Sequence, residues 1–150
     1  MAKAKQRVLV VDDDHDCRLV LSALMARAGF SVDAVADGEM ALNLMRTQPP
    51  DLVLLDAHLP RTDGWEVCRT IKDTPETTHT PVVMLTAFAS GDARSRSLEA
   101  GADEFVAKPF RADALLELVE QLLTIRDAAS QLDPGADAVV DAMNDRRGKG

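Results

Sequence analysis

The chain has 150 residues, 46% hydrophobic and 28% charged, with a net charge of −8. That length fits one domain with a real core, and the acidic balance argues against a nucleic-acid-binding core, which needs a basic face. No apolar run approaches the ~20 residues of a membrane span, and the basic start, residues 1–7, leads straight into an apolar run, so no signal peptide is expected.

The first apolar run, Val8-Leu9-Val10-Val11, reads as a strand and ends in Asp12-Asp13-Asp14. Residues 14–28 carry Cys17, Leu19, Val20, Leu21, Leu24 and Met25 at mixed spacings of three and four, a helical pattern. Gly29 then stands at the C′ position. A short second strand is expected over 31–35 and a second helix over 38–45, halted before Pro49-Pro50. Residues 52–55 are unbroken apolar, as a central strand buried on both faces should be. Asp56 closes that run. A third helix over 65–72 places Trp65, Cys68 and Ile71 inward. Residues 81–85 read as a fourth strand ending at Thr86, and 92–100 as a helix poor in large apolar residues, ended by Gly101. A fifth strand, 104–107, runs into Lys108-Pro109, and a leucine-rich fifth helix spans 113–125. Five β–α alternations imply an α/β, doubly wound, five-stranded parallel sheet. From 127 to 150 the composition shifts to Ala and Asp, with a Pro134-Gly135 break. Val139, Val140 and Met143 can line one side of a short helix there, but a solvated C-terminal tail or linker is the expectation. The domain is therefore placed at 1–126 and the tail at 127–150. Cys17 and Cys68 lack spaced Cys or His partners, so two reduced thiols of a cytosolic, cytoplasmic protein are expected.

The chemistry gathers at strand ends. Asp12 and Asp13 end the first strand, Asp56 the third, Thr86 the fourth and Lys108 the fifth. In a parallel sheet these ends share one edge, where ligands bind. Close carboxylates repel one another, which favours a hard divalent cation such as Mg²⁺ between them. An Asp carboxylate can act as a nucleophile toward phosphorus. Lys108 can offer a point charge to a phosphoryl oxygen, and the Thr86 hydroxyl one hydrogen bond. Singly each feature has a plain explanation: Asp is a favoured N-cap, a role assigned here to Asp14, Thr is an ordinary strand end, and Lys108 can sit solvated in a turn. Four of them on one edge are hard to explain by packing alone.

With these residues in view, the stretch from Arg7 to Ile125 resembles the receiver domain of two-component response regulators, in a stand-alone architecture like the chemotaxis regulators. The resemblance rests on Val8-Leu9-Val10-Val11-Asp12-Asp13, on Asp51-Leu52-Val53-Leu54-Leu55-Asp56 with Leu59-Pro60 and Asp63-Gly64, on Pro81-Val82-Val83-Met84-Leu85-Thr86-Ala87, and on Ala100-Gly101-Ala102-Asp103-Glu104-Phe105-Val106-Ala107-Lys108-Pro109-Phe110. It implies a flavodoxin-like sheet of order 2-1-3-4-5 with five helices. It implies that Asp56 is the phosphoacceptor, that Asp12 and Asp13 bind Mg²⁺ with Asp56 and the backbone carbonyl of His58, that Thr86 and Phe105 form the switch, and that Lys108 binds phosphate ahead of a cis bond to Pro109. His58 and Phe88 occupy the two variable positions beside the phosphate. Phe105 replaces the commoner tyrosine, and Leu118 stands where members that dimerise through the fourth and fifth helices usually carry arginine.

The implied function is a phosphorylation-activated signalling switch of a phosphorelay. It is not an enzyme with external substrates: it catalyses only its own phosphorylation and dephosphorylation. The expected partners are a histidine kinase or histidine phosphotransfer protein and an unidentified downstream protein, with no direct nucleic-acid binding and no membrane insertion. The alternatives are a receiver fragment or binding module of a larger regulator, or a phosphate sink. A metal-dependent aspartyl-phosphate hydrolase would need cap insertions for which the chain has no long segment.

Overall fold

The computed structural model describes residues 5–87 and 91–130. Five strands alternate with five helices: β1 (Arg7–Val11), α1 (His15–Arg27), β2 (Ser31–Val35), α2 (Gly38–Thr47), β3 (Leu52–Asp56), α3 (Gly64–Asp73), β4 (Val82–Thr86), α4 (Gly91–Glu99), β5 (Glu104–Ala107) and α5 (Ala112–Ser130). The strands form one parallel sheet in the order β2-β1-β3-β4-β5. The expected fold and strand order are thus both present.

Alternation along the strands divides the interior in two. Leu9, Val11, Val53, Leu55, Val82 and Met84 face one core, which α2, α3 and α4 cover with residues such as Met45, Trp65, Val67, Ile71 and Ala93. Val8, Val10, Leu52, Leu54, Val83 and Leu85 face the other, covered by Leu21 and Met25 of α1 and by Leu115, Val119 and Leu123 of α5. Helices on both faces explain why β3 and β4 are buried at every residue and why their sequences run apolar without alternation.

Aspartates set the helix starts. The side chains of Asp14, Asp37 and Asp63 accept hydrogen bonds from the amides of Asp16, Met40 and Glu66, so each caps its helix. Gly29 and Gly101 hold left-handed φ values of 101° and 88°, ending α1 and α4.

Asp56 and Thr86 are the last residues of β3 and β4, as expected. The boundaries differ from expectation in two informative places. Pro81 precedes β4, yet its carbonyl still accepts from Val53 N at 2.9 Å. α5 runs five residues past 125, so 127–130 are helical rather than tail. The cause is anchoring: Arg126 Nη1 donates to the carbonyl and Oδ1 of Asp51 at 2.9 and 2.7 Å, and Gln6 Nε2 donates to Asp127 Oδ2 at 2.9 Å. The expectations for Val139, Val140, Met143 and Phe88 fall outside the described residues.

Gly64 is the point where α3 touches the end of β3. Its amide donates to the Ala57 carbonyl at 2.9 Å. A Cβ at this position would overlap the Asp56 carbonyl oxygen and lie 2.8 Å from Ala57 Cα. Gly64→Ala is therefore expected to destabilise the fold by about 2 kcal/mol, the scale of core overpacking. A lower thermal midpoint checks this, and an unchanged midpoint would show that α3 can move away freely.

Candidate functional site

Strand register builds the site. Val11 pairs with Leu55, Asp56 with Leu85, and Thr86 with Ala107, so all the strands stop at one edge. The residues at and just after those stops are Asp12, Asp56, Thr86 and Lys108.

Asp12 is fully buried and held at every polar atom. Its amide donates to the Val35 carbonyl at 3.1 Å. Its Oδ1 accepts from Asp14 N at 2.9 Å, its Oδ2 from Lys108 Nζ at 2.7 Å, and its carbonyl from Arg18 Nη1 at 2.8 Å. Asp56 is nearly as buried, at 6% exposure. Its Oδ1 accepts from the His58 amide at 3.1 Å, and its Oδ2 lies 3.6 Å from Lys108 Nζ. Asp13 is exposed but offers an oxygen to the same cluster: one carboxylate oxygen from each of Asp12, Asp13 and Asp56 lies within 4.8 Å of the others.

Thr86 is fully buried, and its carbonyl accepts from the Lys108 amide at 2.7 Å. The Lys108–Pro109 bond is cis. Phe105 is half-buried against the α3–α4 core, with the Arg94 guanidinium 6.0 Å from its ring centre. His58 is exposed and meets Trp65 edge-on at 5.4 Å. Leu118 is half-buried against the α1–α5 core.

Crowding polarises the charges. Burial raises the Asp56 carboxyl above the usual range; the His58 amide and Lys108 oppose this, while the charges of Asp12 and Asp13 add to it. Burial also pushes Asp12 upward, but hydrogen bonds from Cys17, Lys108 and the Asp14 amide outweigh it and hold Asp12 below its ordinary value. For Lys108, desolvation pulls downward, yet Asp12 and Asp56 together lift the ammonium to about 12. Cys17, half-buried beside Asp12, is raised to about 11, first by burial and then by that carboxylate. It is an inert protonated thiol.

Cys17 and Arg18 belong to this site, and sequence reasoning missed them. Side chains on a helix lean toward its N-terminus, so the first turn of α1 reaches back over the end of β1. An amphipathic pattern with a cap just after the acidic run carries that signal, but it does not say which side chain arrives. Hard oxygen donors in a mutually repelling cluster suit a divalent cation such as Mg²⁺. The nearby ammonium suits an anion drawn to that cation.

The chain is similar to known proteins over most of its length. Residues 8–120 match the family described as the response regulator receiver domain. The chain is 42% identical over 117 residues to response regulator MprA of Mycolicibacterium vanbaalenii, covering 78% of this chain and 50% of that protein. A CheY-like response regulator receiver domain protein from Methanospirillum hungatei JF-1 superposes with a TM-score of 0.79 at 26% identity, covering 84% of this chain and 99% of that one. The receiver domain of a sensor histidine kinase from Pseudomonas aeruginosa PAO1, described with a magnesium ion coordinated in its active site cleft, gives 0.76 at 31% identity, covering 81% and 99%. The chain spans about half the length of the curated relatives it matches.

The raised Asp56 carboxyl carries a stability consequence. Its protonated form is the one the metal-free fold prefers, so that contribution is fully present below the ordinary carboxylate range and lost as pH rises through the raised value. The ionised carboxylate is the form that burial disfavours, so Asp56→Asn, which carries no charge, is expected to raise the thermal midpoint of the metal-free protein at pH 7. Below the ordinary carboxylate range the gain should vanish. Thermal melts at pH 7 and at acid pH check both signs.

Proposed function

The chain belongs to the response regulator receiver domain family, and on that premise we propose that it is a phosphorylation-activated switch whose Asp56 accepts the phosphoryl group. The observation that carries this reading is the convergence of three carboxylate oxygens within 4.8 Å beside an ammonium that contacts both Asp12 and Asp56.

An ionised Asp56 oxygen attacks phosphorus as the bond from phosphorus to the donor's leaving atom breaks, giving an aspartyl phosphate. Positioning and charge do most of the work in such a transfer. Asp12, Asp13, Asp56 and the His58 carbonyl would hold Mg²⁺, which supplies charge neutralisation for the incoming phosphoryl oxygens. Lys108, already 3.6 Å from Asp56 Oδ2, is placed to offer its charge to one of those oxygens once its bond to Asp12 is exchanged. The Thr86 hydroxyl offers a hydrogen bond to another. Moving Thr86 toward the phosphoryl group draws Phe105 inward and alters the face of α4, β5 and α5. Autophosphorylation and hydrolysis of its own aspartyl phosphate are the only reactions assigned to it.

The donor is a histidine kinase or a histidine phosphotransfer protein, and the output is a downstream protein on the altered face. The acidic charge disfavours nucleic-acid contact by this domain. Among the described residues no helix is long and apolar enough to cross a membrane. Residues 1–126 are read as the receiver and 127–150 as the segment that leads away from it, with 127–130 still helical. The greater length of the matched relatives favours a second reading, in which the same switch serves a larger regulator.

Incubation with acetyl phosphate and Mg²⁺ should add one phosphoryl mass to the peptide containing Asp56, and Asp56→Asn should abolish it. A phosphoryl group on the mutant, or on another peptide of the wild type, would overturn the assignment. Mg²⁺ alone should raise the thermal midpoint by mass action, and Asp13→Ala should remove most of that rise. Thr86→Ala should leave phosphorylation intact while weakening the amide-exchange change on α4 and β5 caused by beryllofluoride. An undiminished change in this variant would remove Thr86 from the switch.

A further inference from the structure

Trp65 joins the rim of the site to α4. It is the chain's one tryptophan, buried at 6% exposure at the start of α3. On one side the His58 imidazole meets it edge-on, with centroids 5.4 Å apart and planes at 87°. On the other, two successive residues of α4 hold it. The Arg96 guanidinium lies over its ring at 3.9 Å, and its Nε1 donates to Ser97 Oγ at 3.4 Å. Ser97 is itself buried and donates to the Ala93 carbonyl at 2.9 Å. His58 in turn donates its amide to Asp56 Oδ1, so a line of direct contacts runs from the Asp56 carboxylate through His58 and Trp65 to α4.

We propose that Trp65 is a positioning residue that fixes His58 at the rim of the Asp56 pocket and links the occupancy of that pocket to α4. This inference rests on Asp56 being the phosphoacceptor. It differs from the route through Thr86 and Phe105, which approaches α4 from the β4–β5 side of the sheet.

The contacts on Trp65 are of the kind that fix an angle. An edge-to-face aromatic pair and a cation stacked on a ring each have a preferred geometry, and the indole N–H adds a direction. Trp65 sits on α3, whose first residue is in contact with the Asp56 and Ala57 backbone, so the ring cannot follow a displaced His58 without loosening one contact. When the Asp56 oxygens acquire new partners, the His58 amide loses or lengthens its bond to Oδ1. The imidazole then tilts on the indole, and the indole shifts against Arg96 and Ser97. α4 carries few large buried side chains of its own, so a contact of this size is a substantial part of what seats it.

Trp65 emission reads the event directly in the intact protein. First, phosphoryl incorporation at Asp56 by mass shows whether the pocket is the acceptor; its absence overturns both the functional reading and this proposal. With incorporation established, beryllofluoride and Mg²⁺ should change wild-type emission. His58→Ala, at an exposed position and compared at saturating beryllofluoride, should lose most of the emission change. Arg96→Gln, also exposed, should phosphorylate normally and show less slowing of amide exchange in α4 on beryllofluoride addition. Trp65→Phe, which keeps a ring against His58, should hold the wild-type phosphoryl lifetime, whereas Trp65→Leu should change it. If both variants fold with wild-type lifetimes, or if the His58→Ala emission change equals that of wild type, Trp65 is only a core residue and the proposal falls.

Discussion

The buried ion pair between Lys108 and Asp12 is the contact on which the site depends. Asp12 has no exposure, and its Oδ2 lies 2.7 Å from the ammonium. An unpaired carboxylate at that depth would be strongly unfavourable. The partner comes from the far side of the sheet: β3 and β4 lie between β1 and β5, and 96 residues separate the two in sequence. The pair therefore forms only when β5 is docked and all strand ends stand level. Breaking it by removing one partner leaves a buried charge uncompensated.

The same pair creates a tension that the proposed switch would use. One ammonium serves Asp12 at hydrogen-bond distance and Asp56 at 3.6 Å, while Asp13 adds a third carboxylate. Asp12 takes most of the compensation and is held low; Asp56 takes less and is pushed high. Rigid and adjustable parts are cleanly divided. Asp12 is fixed at its amide, its carbonyl and both carboxylate oxygens, and Asp56 ends a fully buried strand. Lys108 sits on a long flexible stem and can exchange one oxygen for another. A site with surplus negative charge and a movable cation is poised for a divalent metal and an anion together.

Much of this was legible in the residues because it follows local rules. Apolar runs closed by Asp12, Asp56, Thr86 and Lys108 are strand ends whatever packs on them, and β–α alternation makes those ends neighbours. The helix cap at Asp14 obeys an equally local rule. What was not legible depends on distant partners. α5 reaches Ser130 because Arg126 finds Asp51, 75 residues away, and periodicity carries no trace of that. Cys17 read as a plain half-buried thiol, which it is, but its hydrogen bond to Asp12 depends on how α1 returns over the sheet. Trp65 read as an inward core residue, also correctly. That Arg96 covers it and His58 abuts it depends on α4, whose sequence is too poor in large apolar residues to announce its own packing.

On the proposed reading, carboxylate crowding around one shared ammonium readies Asp56 for a cation and a phosphoryl group. The most direct measurement is the titration of the Asp56 side-chain carboxyl by carbon-13 NMR, without and with Mg²⁺. The account predicts a midpoint above the ordinary carboxylate range in the metal-free protein and a marked fall when Mg²⁺ is added. An ordinary midpoint that Mg²⁺ leaves unchanged would contradict it.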